Sequence, residues 1–329
     1  MIVRWGLDEL SGLLSELSIT SPLLVSTGRW HGVELPLALP ESRRFHGAAG
    51  HAQRAGIDAA IAAATGAGAD GLIALGGGSA IDTAKATSAA TGLRLISIPT
   101  TYSGAEWTTF YGSRDPERRI KDGGSGALTV AVLCEPRLTL DLPRGESAGT
   151  ALNALDHCAE ALYVSGRTDE SDAAALAGAR LISEWLPAVL ANGRDLEART
   201  QLLEGAMQAG ASLRAGFALA HALSQALGGW TGGSHGAFNA LCLPPVLRFN
   251  AEAAAAPIGR LATAMGVTDA AARAEELARL GGIGRLRDHG VAEADLPGIA
   301  TAAAGRHGAR VNPRPVTAAD AEALLRSIW

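Results

Sequence analysis

The spacing of apolar residues changes once along this chain. Up to about residue 145, short apolar runs alternate with stretches of helical period. SPLLVST (21–27), DGLIALGGGS (70–79), LRLISIPTT (93–101) and ALTVAVL (127–133) read as strands, and AGIDAAIAAATGAGA (55–69) and AIDTAKATSAATG (80–92) as helices between them. Strands separated by helices predict a parallel sheet with crossover connections. From about residue 146 the period is helical almost to the end, through ALNALDHCAEALY (151–163), DAAALAGARLISEWLPAVLA, the long ARTQLLEG…ALSQALGG stretch and DAAARAEELARLGG. The pattern predicts an α/β domain over 1–145 and an all-helical domain over 146–329, with no low-complexity linker and no internal repeat.

Composition narrows the function classes. Of 329 residues, 47% are hydrophobic and 19% charged, which fits a globular protein with a sizeable core. A net charge of −5 without a Lys/Arg run argues against a nucleic-acid partner. Apolar stretches are short or interrupted, so no membrane span is expected. MIVRWGLDEL has no signal-peptide core, and Cys134, Cys158 and Cys242 form no CxxC; both point to a reducing cytoplasm. Of 28 basic residues only Lys85 and Lys121 are lysines, so position must decide whether an ammonium is needed at either.

Several stretches carry chemistry. In LIALGGGSAIDTAK, Gly76, Gly77 and Gly78 follow an apolar strand and open a helix, where bare backbone and free N–H groups suit a diphosphate. The spacing is neither GxGxxG nor a P-loop, so the turn alone reads equally as a tight strand–helix turn or a phosphate site. Ser79, Asp82 and Lys85 on the first turns add polar groups. ISIPTTYSGAEWT places Thr100, Thr101, Tyr102 and Ser103 at a strand's C-terminal end, where ligands bind in open α/β sheets. RRIKDGGSG (118–126) reads as a polar loop from which Lys121 could reach over a site. Asn153 and His157 stand four apart on one helix face, and His221 and His235 flank a glycine-rich break.

Taken in order, GGGSAIDTAK, IPTTYSGAE, the Asn153–His157 helix and HALSQALGG…SHG…LPPVLRFN resemble the iron-containing alcohol dehydrogenase family, whose fold is shared with dehydroquinate synthase. The resemblance runs from about residue 2 to 255. It implies an N-terminal dinucleotide-binding domain, a helical C-terminal domain, an active site in the cleft between them, and a homodimer. It places Gly76, Gly77, Gly78 and Ser79 on the cofactor diphosphate, and Asp82, Thr100, Thr101 and Ser103 near the nicotinamide. Metal-dependent members use an Asp and three His, which fall here on Asn153, His157, His221 and His235.

Asn at position 153 departs from the metal pattern and matches the family's maleylacetate reductase branch. That branch reduces a carbon–carbon double bond conjugated to a ketone with NADH or NADPH and is not regarded as needing metal. Hydride addition to an enone leaves an enolate that hydrogen-bond donors stabilise, whereas a localised alkoxide gains more from a Lewis acid. The expected catalytic set is then Asn153, His157, His221 and His235, with Lys121 and Tyr102, and no metal. Two alternatives stay open: a metal-dependent alcohol dehydrogenase on His157, His221 and His235, and a non-redox cyclase or lyase. The family's second histidine, four residues after 221, is Gln225 here. At the end of the first strand, Ser26, Thr27 and Arg29 replace the acid of NAD-selective sites. That predicts tolerance of NADPH with Arg29 near its extra phosphate, unless Arg29 is a plain surface residue.

Overall fold

The structure, a computed structural model, describes all 329 residues. The chain divides into two compact units. One comprises Met1–Thr101 and Ala105–Thr139, the other Tyr102–Gly104 and Leu140–Trp329.

The first unit is built on a six-stranded, all-parallel sheet. Its strands are β1 (Ile2–Trp5), β2 (Pro22–Ser26), β3 (Arg44–Phe45), β4 (Gly71–Gly76), β5 (Arg94–Pro99) and β8 (Leu128–Cys134), in the order β1-β8-β5-β4-β2-β3. Helices α1 (Leu10–Glu16), α2 (Arg54–Gly66) and α3 (Gly78–Thr91) cover it. Strand alternation divides the core. Leu24, Ile73, Leu75, Ile96 and Ile98 meet Leu10, Leu13 and Leu14 on one face, and Leu23, Val25, Leu72, Ala74 and Leu95 meet Ala64, Ile81 and Ala84 on the other. Each fully buried leucine is worth about 1.5–3 kcal/mol against exposure.

The four expected strands are present, and β1 and β3 add an edge strand on each side. Four and two residues are too short to show a period. The β2–β3 connection, residues 27–43, holds two 3-10 turns (Gly28–Trp30 and Glu41–Arg43) in place of a crossover helix. Leu35, Leu37 and Leu39 pack it against the core instead. The stretch expected as a polar loop at 118–126 is half of an antiparallel hairpin, β6 (Tyr111–Asp115) with β7 (Ile120–Gly124). Asp115 closes its turn by accepting from the Glu117 and Arg118 N–H groups, both at 3.0 Å.

The second unit is all helical: α4 (Arg144–Ala161), α5 (Asp169–Ala191), α6 (Leu196–Ser212), α7 (Leu219–Thr231), α8 (His235–Phe249), α9 (Ala255–Ala264), α10 (Ala270–Leu280), α11 (Leu296–Ala304), α12 (His307–Arg310) and α13 (Ala318–Ser327). Fourteen residues of α4 are buried, so it is the central helix rather than an amphipathic one, and it packs against α5, α6 and α8. α5 is long and apolar enough to be compared with a membrane span. Its apolar positions Ala175, Ala179, Ile182 and Leu186 are instead fully buried within the unit. The unit starts at Leu140 rather than 146 because Leu142 is buried in it and its carbonyl accepts from Arg199 Nη2 at 3.2 Å.

Candidate active site

In the α/β unit, β4 ends in the glycine turn and α3 begins at Gly78. Gly77 is the N-cap and offers no side-chain cap; the Ala80 N–H donates to the Gly77 carbonyl at 3.1 Å, and the N–H groups of Gly78 and Ser79 ahead of it face the ligand end of the helix. A Cβ on Gly77 would stand 2.7 Å from Thr101 Cγ2, and one on Gly76 2.8 Å from the Ala80 Cβ. Gly76 also has φ +148°, open to glycine. The turn is therefore bare backbone by steric need, and it fits a dinucleotide diphosphate. Thr101 contributes its methyl group to this packing, and the Thr100 N–H donates to the Gly76 carbonyl at 3.1 Å. Ser79 Oγ accepts from the His51 N–H at 3.0 Å, tying the preceding loop to α3.

One turn further on, both lysines of the chain converge on Asp82. Lys85 Nζ lies 3.6 Å from Asp82 Oδ1 and donates to the Ala105 carbonyl (2.7 Å) and Thr108 Oγ1 (2.9 Å). Lys121, on β7, acts on Asp82 through its charge, and the Gly112 N–H donates to Asp82 Oδ2 at 3.1 Å. Burial raises Asp82 against the pull of both ammonium groups and lowers Lys85 against Asp82 and Glu106. Burial also pushes Glu106 up to about 7. Lys121 is thus placed beside Asp82 by a strand. At the end of β2, Ser26 Oγ is 2.6 Å from His46 Nδ1, and Arg29 stacks over the Trp30 ring at 5.3 Å.

In the helical unit, α4, α7 and α8 bring Asn153, His157, His221 and His235 together. The amide orientations follow from one fixed acceptor. The Ser103 carbonyl only accepts, so Asn153 turns Nδ2 towards it, at 2.9 Å. Asn153 Oδ1 then faces Asn239, whose Nδ2 donates to it. The second Asn239 hydrogen points to His235 Nε2 at 3.3 Å, so His235 carries its proton on Nδ1, 3.0 Å from Ser224 Oγ. Ser103 meets this network through its carbonyl; its hydroxyl is buried without a hydrogen-bond partner.

The other two histidines face each other, with Nε2 atoms 3.2 Å apart. Gly104, at φ +73°, lets the backbone approach the His157 ring, which would lie 3.4 Å from a Cβ there. His221 Nδ1 lies 2.7 Å from Asp156 Oδ2 and 3.6 Å from Glu160 Oε2. Glu160 also accepts from the Ala218 and Ala220 N–H groups at 2.5 and 2.7 Å, so its carboxylate sits on the positive end of α7 and aligns the turn that carries His221. Burial works to lower His221, but the Asp156 and Glu160 carboxylates outweigh it and push it up to about 9. Burial, aided by the His221 charge, holds His157 well below the ordinary histidine value. The pair is therefore a buried imidazolium, His221, donating to a neutral imidazole, His157.

These orientations test the four-donor metal set. Asn153 Oδ1 and His235 Nε2 are both closed by the single amide of Asn239, and Glu160 is spent on α7. The residues do not fit the Asp-and-three-His site of the metal-dependent pattern. Tyr102, expected among the catalytic groups, is fully buried, and its hydroxyl accepts from Arg199 Nη1 at 3.1 Å, so it supports the fold instead. Gln225 Oε1 accepts from Arg306 Nη1 at 3.0 Å, which puts a cation one turn from His221. Sequence reasoning missed Asn239, Glu160 and Arg306. Asn239 had a signal, its i+4 spacing from His235, while the other two had none.

Two family models match the chain: "Iron-containing alcohol dehydrogenase" over residues 6–135 and "Fe-containing alcohol dehydrogenase family, C-terminal" over 147–329. Maleylacetate reductase 1 of Rhodococcus opacus is 33% identical over 291 residues, covering 87% of this chain and 80% of that protein. The maleylacetate reductase of Pseudomonas knackmussii is 33% identical and covers 99% and 95%. The crystal structure of maleylacetate reductase from Rhizobium sp. strain MTP-10005 superposes with a TM-score of 0.88 at 31% identity, covering all of this chain and 95% of the other. By its glycine turn, its histidine-bearing helices and these matches over both units, the chain belongs to the iron-containing alcohol dehydrogenase family.

Proposed function

We propose that this oxidoreductase reduces an activated enone of a small carboxylate, of maleylacetate type, with NADH or NADPH and without a metal. The observation that carries the reading is the Asn153 amide held between the Ser103 carbonyl and Asn239. It stands where the metal-dependent pattern needs a carboxylate with a free oxygen. The maleylacetate reductases among the relatives support the substrate class.

Gly76, Gly77, Gly78 and Ser79 would hold the cofactor diphosphate at the start of α3, and Asp82, with Lys85 and Lys121, Thr100 and Thr101 would frame its nicotinamide end. When bound, the nicotinamide supplies the hydride. The chain's own part is to bind the substrate and manage charge and protons. Negative charge that develops on the ketone oxygen as the double bond is reduced is met by the His221–His157 pair, whose positive charge Asp156 and Glu160 maintain. The same pair returns a proton to carbon, with His221 as its source. Arg306 supplies a further polar contact for a carboxylate, while His235, fixed as the Nδ1–H tautomer, holds Asn239 in place. Proton NMR of the product tests this directly. Loss of the olefinic signals with the ketone retained is expected with NADH or NADPH; a hydroxy acid, or no turnover of maleylacetate with either cofactor, would overturn the reading.

A further inference from the structure

The β2–β3 connection carries a cluster separate from the histidine network of α4, α7 and α8, and joined to the end of β2 through Ser26. His31 follows the turn Gly28–Trp30, Glu41 opens the turn Glu41–Arg43, and His46 follows β3. One ligand atom from each lies within 4.8 Å of the other two. His31 Nε2 is 3.7 Å from Glu41 Oε1, and the two imidazole rings are 4.9 Å apart.

Ser26 fixes the tautomer of His46. Its hydroxyl donates to the Thr27 carbonyl at 3.2 Å, leaving its oxygen to accept from His46 Nδ1 at 2.6 Å. The ring proton is then on Nδ1, and Nε2 keeps its lone pair. That nitrogen is shut off from solvent and has no hydrogen-bond partner. Arg44 is tied to the Leu39 and Val33 carbonyls, each at 3.2 Å. An imidazole held by a hydrogen bond at one nitrogen, with a bare lone pair at the other, is the usual state of a metal ligand. Two histidines and a carboxylate form a donor set for zinc, with the fourth position left to water.

We propose that His31, Glu41 and His46 bind a divalent cation of the zinc class, which clamps the β2–β3 connection. Parallel strands are ordinarily joined through a helix, and here residues 27–43 contain only two single turns. A cation at the cluster ties both turns to the chain just beyond β3, restraining a segment that has no helix of its own. The inference is independent of the proposed reaction.

Zn2+ titration of the chelator-stripped protein by calorimetry tests it, with His31→Ala, Glu41→Gln and, as a control, His221→Ala. His31 is 71% exposed, so its truncation leaves the fold intact. The wild type is expected to bind one micromolar equivalent that His31→Ala lacks and His221→Ala keeps. Glu41→Gln should weaken it by more than the roughly tenfold that loss of an outer-shell partner costs. Zn2+ should also slow tryptic cleavage after Arg29 and Arg43 in the wild type and not in His31→Ala. Identical titrations for wild type and His31→Ala, binding only in the millimolar range, or loss of the equivalent in His221→Ala would overturn the site. Equal protection of both proteins from trypsin would overturn the clamp.

Discussion

Replacing Asn153 with aspartate turns one atom of the candidate site from a donor into an acceptor. Asn153 is 3% exposed, and its Nδ2 donates to the Ser103 carbonyl at 2.9 Å. In the aspartate a carboxylate oxygen faces that carbonyl, and neither can donate. A buried polar group left unsatisfied in this way costs about 1–3 kcal/mol, and more when it is charged. On the other side, the Asn239 N–H now donates to a carboxylate, a bond about twice as strong as the neutral one. The net is a loss of about 2 kcal/mol in the absence of metal. For a unit of this size that lowers the melting temperature by about 4–8 °C. The assay is thermal unfolding followed by circular dichroism in EDTA, then repeated with added Zn2+ and read as the shift of the variant beyond that of the wild type. The account expects the variant to be less stable in EDTA and to regain part of the loss with zinc, since the carboxylate restores the missing donor. Equal melting temperatures in EDTA would refute the reasoning, because Asn153 would then not be the cross-link between Ser103 and Asn239.

Asp156→Asn should move the alkaline limb of the pH–rate profile. His221 is raised to about 9, so its proton, and the stability that the raised value contributes, are fully present below the ordinary histidine value and lost as pH rises through about 9. The wild-type rate of reduction should fall above about pH 9, and the variant's at lower pH; an unmoved limb contradicts the role given to Asp156. Lys85→Met removes a buried ammonium and leaves the Asp82 carboxylate with one fewer partner. About 3–5 kcal/mol should be lost in urea unfolding of the α/β unit, as for other broken buried pairs, and a loss under 1 kcal/mol would contradict it. Gly77→Ala forces a Cβ to within 2.7 Å of Thr101 Cγ2, a strain of about 1–3 kcal/mol. NADPH binding, followed by quenching of protein fluorescence, should weaken by about tenfold or more, and unchanged affinity would count against the glycine turn as the diphosphate cradle.

The sequence carried the architecture because its signals are periodic. Four strands long enough to alternate, and helices of three turns or more, declare themselves through burial, while β1 and β3 are too short to do so. The hairpin around Lys121 was hidden by its composition: Asp, Gly, Ser and Arg read as loop, and only pairing between Tyr111–Asp115 and Ile120–Gly124 makes it sheet. The two-lysine bias did point to one place, since Lys85 and Lys121 both act on Asp82. At the candidate site, positions were legible and directions were not. Asn153, His157, His221 and His235 could be named from spacing, but the amide orientations depend on the Ser103 carbonyl, fifty residues away in the chain. Asp156, three residues from Asn153, does not join the Asn153 network but serves His221 instead. Tyr102 looked catalytic because of its loop, and its burial against Arg199 is a long-range fact no local pattern contains. The non-redox alternative loses support because the relatives reported above are reductases.

The central claim is that this site reduces an enone without a metal ion. It is tested most directly by kcat/KM for maleylacetate with NADH and NADPH, measured on the chelator-stripped enzyme and again after adding Fe2+ or Zn2+. The account predicts full turnover after stripping and no gain on adding either ion. Activity abolished by the chelator and restored by metal would contradict it.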